Sequence, residues 1–400
     1  MEFLLALLIL LLFAKVFGEL LHHYGFSPLI AEVTVGIVLG PALLGLIPPS
    51  NVTSGSMLEA VAMLGLVVMM LVAGMNSRFD LLVKVKTKAI IIALCGVSLS
   101  LVLGFSALYA LGFSPLASLF VGVALANTST DILARVTGKH PLSQLIVSAA
   151  LIDDILAVYI VGILSASVRG GLDLSVVLLT TAGIVVFFLA ITISSHELII
   201  KRNVLRKLWK FEERGVPIAF ALCLALAFAV IAHNVGLHPI IGAYMAGLFI
   251  SRLRERPMVT LQSRIRLNAM LDDITTSFQS ILTPMFFVFV GLSFGINPVT
   301  NELLNWGQIR LIVLVALIAV AFVGKFVGCG FGATLAGYKK DRAAIGVAMC
   351  SRGALELAIL HFGLAAGVVP LDLFATMVVV VLILIITTPI LFKYVTRGKT

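Results

Sequence analysis

Two carboxylates stand side by side in the apolar stretch AALIDDILAVYIVGIL, residues 149–164: Asp153 and Asp154, with no Lys or Arg within a helical turn. An ionisable residue deep in a bilayer is rare and functional by default. On a helix the two side chains leave the axis about 100° apart, so one can face a partner helix while the other faces a cavity. As close neighbours they titrate as a coupled pair. Their oxygens also suit a hard monovalent cation. The chemistry this permits is competition between H+ and Na+, Li+ or K+ at one site. The same letters recur in MLDDITTSF, residues 270–278, but among arginines and polar residues, where they need no such explanation.

Other polar groups interrupt apolar runs. Lys325, in AFVGKFVGCGFG, is the expected counter-ion of the acid pair, with Gly324, Gly328 and Gly330 letting neighbouring helices come close. Its Gly-Lys lacks the spacing and the following Ser or Thr of a phosphate-binding loop. Asn127, Thr128, Ser129, Thr130 and Asp131 break one run, and Ser351, Arg352 and Gly353 break another. Hydroxyl and amide side chains compete for backbone hydrogen bonds, and Gly weakens a helix. Unwound backbone is tolerated at membrane depth only where protein or a water-filled cavity surrounds it. Arg352 and Glu356, four apart, are expected to form a structural charge pair on one helix face. Asp131 comes within reach of Arg352 if the two broken spans cross. Glu32 receives no role, and His233, His238 and His361 are read as satisfied structural groups. Intramembrane aspartyl proteases place their acids on separate helices, whereas this pair shares one turn. An enzyme is therefore not expected, and neither is a cofactor.

The elements that must position these groups follow from composition. Sixty per cent of the 400 residues are hydrophobic and 12% are charged, whereas a soluble domain is about a quarter charged. The expected fold class is all-α and polytopic. A bilayer core needs about 20 apolar residues as helix, and that ruler gives thirteen segments: 3–22, 26–47, 57–76, 87–111, 115–137, 143–167, 174–194, 216–235, 238–252, 278–295, 309–337, 342–366 and 370–392. The first has neither a basic lead nor a small-residue cleavage site, so a retained helix is expected rather than a signal peptide. Cys95, Cys223, Cys329 and Cys350 are dispersed and read as packing residues. Of the 28 Lys and Arg, all but Arg169, Arg310, Lys325 and Arg352 flank alternate loops and the C-terminal tail. This pattern explains the net charge of +9 by topology rather than by nucleic acid, and it places the N-terminus outside and the C-terminus in the cytoplasm.

An internal repeat orders the segments. FSPLIAEVTVGIVLG from Phe26 aligns without a gap on LHPIIGAYMAGLFIS from Leu237, matching Pro28 with Pro239 and Gly36 with Gly247. The two prolines enter the membrane from opposite sides, so the units are inverted, as in many secondary transporters. The expected organisation is a first six-span repeat over 1–168, a linker span at 174–194, an interfacial cationic linker at 195–215 and a second six-span repeat over 216–396. The fifth span of each repeat carries the polar interruption, which gives a pair of crossed broken helices.

With these features the chain resembles the monovalent cation:proton antiporters, closest to the electrogenic bacterial Na+/H+ branch with a double-aspartate motif. The residues that carry the resemblance are Asp153-Asp154, Thr128-Ser129-Thr130-Asp131, Lys325 and the six-plus-one-plus-six layout. The resemblance implies that Asp154 is the main proton site and ligand of the transported Na+, that Asp153 beside it pairs with Lys325, and that Thr128 to Asp131 line the site or balance helix ends. It also implies a core bundle of about 87–168 and 309–396, a scaffold that forms a homodimer in the cell membrane, and no resident cofactor. Ile132 stands where many relatives have Pro. Ser148-Ala149-Ala150 replaces the upstream acid of the electroneutral branch, which favours electrogenic exchange. Relatives that export K+ under ligand control often carry a C-terminal nucleotide-binding domain, for which a chain ending at Thr400 leaves no room. The expected activity is exchange of Na+ or Li+ for H+. A K+/H+ antiporter of the same fold and a Na+-coupled organic-anion symporter are the alternatives.

Overall fold

The computed structural model describes residues 2–76, 79–138, 140–170, 178, 181–183, 186, 215–234, 237–255, 261–297, 299–300, 302–304 and 311–397. In chain order its helices are α1 (Glu2–His23), α2 (Pro28–Leu39), α3 (Met57–Asn76), α4 (Phe79–Ala110), α5 (Pro115–Ala126), α6 (Thr130–Thr137), α7 (Ser143–Gly170), α8 (Gly215–Asn234), α9 (Pro239–Glu255), α10 (Leu261–Ile274), α11 (Ser280–Ser293), α12 (Leu311–Leu335), α13 (Arg342–Ala348), α14 (Ala354–Ala365) and α15 (Leu371–Thr396). Among the described residues the only extended pairing is an isolated bridge between Ile296 and Leu303. Among the described residues, eight helices are long and apolar enough to cross a bilayer. The fold is an all-α, multi-pass membrane architecture. The seventh expected span and the cationic linker after it fall almost wholly outside the described residues.

Most of the segments read from hydropathy coincide with helices, with three informative differences. The apolar letters of the second segment run on to residue 47, but Gly40 and Pro41 end α2 at Leu39 and turns follow. The tenth segment is the end of a longer helical run, in which α10 joins α11 through one wider turn at Thr275–Gln279. The fifth and twelfth segments are each two helices: α5 stops at Ala126 and α6 starts at Thr130, while α13 stops at Ala348 and α14 starts at Ala354.

Local chemistry sets the ends of the first broken pair. Ser114 caps α5 by accepting a hydrogen bond from the Ala117 amide at 3.2 Å, and Pro115 occupies the first turn, where no amide donor is needed. Ser129 caps α6 in the same way, accepting from Ile132. At its far end α6 is closed by Gly138, whose φ of +48° lies in the left-handed region.

The described residues form two compact units: Met1–Ala60 with Leu81–Ile160 and Phe287–Thr400, and Val61–Asp80 with Val161–Phe286. In both, helices approach to backbone contact over glycine. In the first, a Cβ on Gly36 of α2 would lie 2.1 Å from the Val288 carbonyl, and one on Gly291 of α11 would lie 2.2 Å from the Val33 carbonyl. In the second, a Cβ on Gly247 of α9 would lie 2.1 Å from the Leu71 carbonyl, and one on Gly74 of α3 would lie 2.2 Å from the Tyr244 carbonyl. Real Cβ atoms do not approach so closely, so only glycine permits either seam. The first unit also carries a core of small and branched side chains, among them Ala93, Leu133, Ala149 and Ile345. This core holds α4, α6, α7, α12 and α13 around the two helix breaks.

Candidate functional site

The two breaks meet each other. The Ser129 amide donates to the Ser351 carbonyl at 3.1 Å, and the Ser351 hydroxyl donates to the Ser129 carbonyl at 3.4 Å. α5 packs on α14, where the Phe120 and Phe362 rings lie 5.4 Å apart, and α13 packs on α6. Each half-helix therefore contacts the opposite half of the other pair. The approach depends on Gly353, where a Cβ would stand 2.4 Å from the Ser129 hydroxyl oxygen.

Breaking a helix exposes carbonyls at one side of the gap and amides at the other. Arg352 answers the carbonyls. Its guanidinium is fully buried and donates to the carbonyls of Asn127 and Leu125 at the end of α5, and to that of Ala321 on α12. A fixed cation at a helix C-terminus also complements the helix dipole. Glu356 answers the amides, with Oε2 accepting from the Gly353 N–H at 2.8 Å. No hydrogen bond joins Arg352 to Glu356 among the described contacts, although the Arg352 charge acts on the Glu356 carboxyl. An i, i+4 contact needs helix through both residues, and α14 begins only at Ala354, which leaves Arg352 in the gap.

Asp153 sits beside this crossing on α7 and has no exposed surface. Its Oδ2 accepts from Lys325 Nζ of α12 and from the Thr128 hydroxyl at 2.8 Å, while the Thr128 oxygen also lies 3.1 Å from the Met349 carbonyl. Its Oδ1 has no hydrogen-bond partner. Lys325 is fully buried too, and Gly96 of α4 makes room for Cys329, one turn further along α12. A Cβ on Gly96 would lie 3.7 Å from Lys325 Nζ and 2.3 Å from the Cys329 sulfur. Asp154, the next residue, keeps 8% of its surface accessible. Asp153 is thus enclosed with its counter-ion, and Asp154 is buried as well but for that remainder. By contrast Asp272 is exposed and Asp273 half-buried at the end of α10.

Thr128 is buried, and Ser129 and Thr130 are half-buried at the start of α6. The side chain of Asp131 lies outside the described residues. Sequence reasoning missed the Asn127 and Met349 carbonyls, Gly96 and the role of Gly353 as the point of closest approach. Backbone acceptors leave no trace in residue type. The glycines were visible, but their partners come from distant parts of the chain.

Such an arrangement can do one thing well. A buried ammonium neutralises one carboxylate, a hydroxyl and unwound carbonyls border it, and a second carboxylate stands next to it in the chain. Together these give oxygen ligands for a hard cation and groups that take up protons in its place.

Comparison with known proteins points the same way. A family model described as the transmembrane sodium/hydrogen exchanger matches residues 5–393. The Na+/H+-K+ antiporter GerN of Bacillus cereus is 29% identical, over 100% of this chain and 97% of its own. A Na+/H+ antiporter of Enterococcus hirae is 25% identical, over 99% of each chain. Among solved structures, the sodium proton antiporter MjNhaP1 of Methanocaldococcus jannaschii superposes with a TM-score of 0.69 at 16% identity, covering 100% of this chain and 97% of that one. At that identity the likeness concerns the fold alone.

Proposed function

The chain belongs to the transmembrane sodium/hydrogen exchanger family, a family of transporters rather than enzymes, and on that premise we propose that it exchanges Na+ or Li+ for H+ by alternating access, electrogenically, at Asp153 and Asp154. The observation that carries this reading is the asymmetry of the pair. Asp153 is fully enclosed with Lys325 and Thr128, and Asp154 beside it is the less completely buried of the two. Asp154 exchanges H+ for the cation, and Thr128, Ser129 and the unwound carbonyls complete the oxygen shell. Lys325 holds Asp153 while no cation is bound and releases it when one arrives. Only a loaded site crosses, because a bare charge loses several kcal/mol of hydration in leaving water.

The larger organisation belongs to the same proposal: thirteen spans with the N-terminus outside, two inverted repeats, a core bundle carrying the crossed breaks and a scaffold that dimerises. The glycine seams support the repeats. Gly36 and Gly247 are aligned positions in the second span of each repeat, and each packs on the third span of the other, at Gly291 and Gly74 respectively. A pseudo-twofold relation produces this exchange of partners without further assumption.

A K+/H+ exchanger is the second reading, and one observation favours it: the antiporter GerN carries K+ as well as Na+ in its name. Purified protein in liposomes with an imposed pH gradient separates the two. Na+ and Li+ are expected to collapse the gradient at concentrations at which K+ does not. Collapse by K+ alone would replace the first reading with the second, and collapse by none of the three would defeat both.

The crossing itself is testable. Gly353→Ala drives a methyl group into the Ser129 hydroxyl and must spread the breaks. Overpacking of this kind costs about 1–3 kcal/mol, and here the strain falls on the site. Exchange is expected to drop at least ~10-fold, corresponding to about 1.4 kcal/mol, while the protein remains folded and extractable. Adding Ser129→Ala removes the clashing oxygen and is expected to recover part of the rate. Full activity of the single variant would show that the close approach is dispensable.

A further inference from the structure

A cavity of about 280 Å³ opens where the turn between α1 and α2 meets α6 and α15. At ~30 Å³ per water it holds roughly nine waters or one phosphodiester headgroup. His22, Arg135 and Lys393 line it together with the Ser27 hydroxyl, and no described lining residue is acidic. Ser27 precedes α2 but its side chain makes no capping hydrogen bond. The remaining wall includes Phe26, Ile385 and Pro389, so the lining combines basic and apolar groups.

The three basic side chains each stand in the last turn of a helix: His22 in α1, Arg135 in α6, Lys393 in α15. Complementing a helix dipole explains each one singly. It does not explain why three separate helix ends place basic side chains around one open cavity, with no acid among the described lining residues. Converging cations repel one another unless an anion lies between them. Arg binds phosphate with two parallel hydrogen bonds and Lys binds it as a point charge, and basic pockets between membrane helices receive anionic headgroups.

We propose that this cavity binds the phosphate of an anionic phospholipid, with Arg135, Lys393 and His22 on the headgroup and Phe26 beside the first carbons of the acyl chains. All of these residues lie at the ends of spans on the side assigned to the cytoplasm, where the helices meet the headgroup layer. Arg135 is six residues, roughly 9 Å, along α6 from Ser129, so a bound lipid would tether the half-helix that begins at the transport site. The binding itself does not depend on which ion is exchanged, or on exchange at all.

The test is lipid retention by the full-length protein, read by native mass spectrometry after purification from mixed phosphatidylglycerol and phosphatidylcholine nanodiscs. The wild type is expected to retain phosphatidylglycerol preferentially. Arg135→Gln with Lys393→Gln is expected to lower that preference at least ~10-fold, whereas Arg135→Lys with Lys393→Arg preserves it, which separates lost charge from lost folding. Lys339→Gln with Lys340→Gln, a pair outside the cavity, leaves the preference unchanged. Equal retention of the two lipids by the wild type, or an equal loss in the pair outside the cavity, would overturn the site. Displacement of phosphatidylglycerol by millimolar inorganic phosphate would support the anion site while overturning lipid as its occupant.

Discussion

Replacing Asp154 with Asn abolishes exchange. The carboxamide has nearly the shape of the carboxyl group, so α7 and its packing survive. It can neither take up a proton at working pH nor offer the cation a negative charge, and the two halves of the cycle fail together. The loss is expected to exceed ~100-fold, about 2.7 kcal/mol, in liposomes with an imposed pH gradient and Na+ or Li+ as the driving ion. The informative control is Asp272→Asn. It alters the same Asp-Asp letters at an exposed position, and its rate is expected to stay within about twofold of the wild type. Normal exchange in the Asp154 variant would remove the residue from the mechanism, whatever its burial.

The contrast between the two Asp-Asp pairs shows what a sequence gives away. Asp153 and Asp154 stand out because their surroundings are apolar, and burying charge without a partner is costly enough that chains avoid it. Lys325 stands out for the same reason. The helix breaks are legible in Thr128 to Thr130 and in Gly353, because those residues favour non-helical backbone. The illegible part depended on knowing where helix stops. Arg352 and Glu356 look like a helical ion pair only if the helix runs through both; once the gap begins at Met349, the arginine turns to the carbonyls of α5 and α12 instead. Likewise Leu43, Leu44 and Leu46 read as span because they are apolar, although Gly40 and Pro41 have already ended α2. Long-range partners were the least accessible. That Gly96 clears space for Cys329, or that Gly36 meets Gly291, requires two distant segments to be placed together. The alignment of Gly36 with Gly247 was visible, and its structural meaning was not.

The second large effect is expected at Lys325, and it separates two roles that Asp154→Asn cannot. Lys325→Ala leaves Asp153 buried with the Thr128 hydroxyl as its remaining described donor and with Oδ1 still bare. Removing one member of a buried ion pair costs about 3–5 kcal/mol, whereas replacing both members with neutral groups is often close to neutral. The variant is therefore expected to unfold at a clearly lower temperature, and Asp153→Asn with Lys325→Ala is expected to recover much of the difference. Transport should respond differently from stability. Asp154 is intact in Lys325→Ala, so Na+ still exchanges for H+, with an altered pH dependence. The cycle has nevertheless lost the cation that neutralises Asp153, and Asp153 must carry a proton in its place. Net charge movement should then fall or vanish, so that an imposed membrane potential no longer biases the rate. A variant that keeps full voltage dependence would confine Lys325 to holding the fold together. A variant that is stable but no longer voltage-sensitive would assign the coupling of charge to the bond between Lys325 and Asp153.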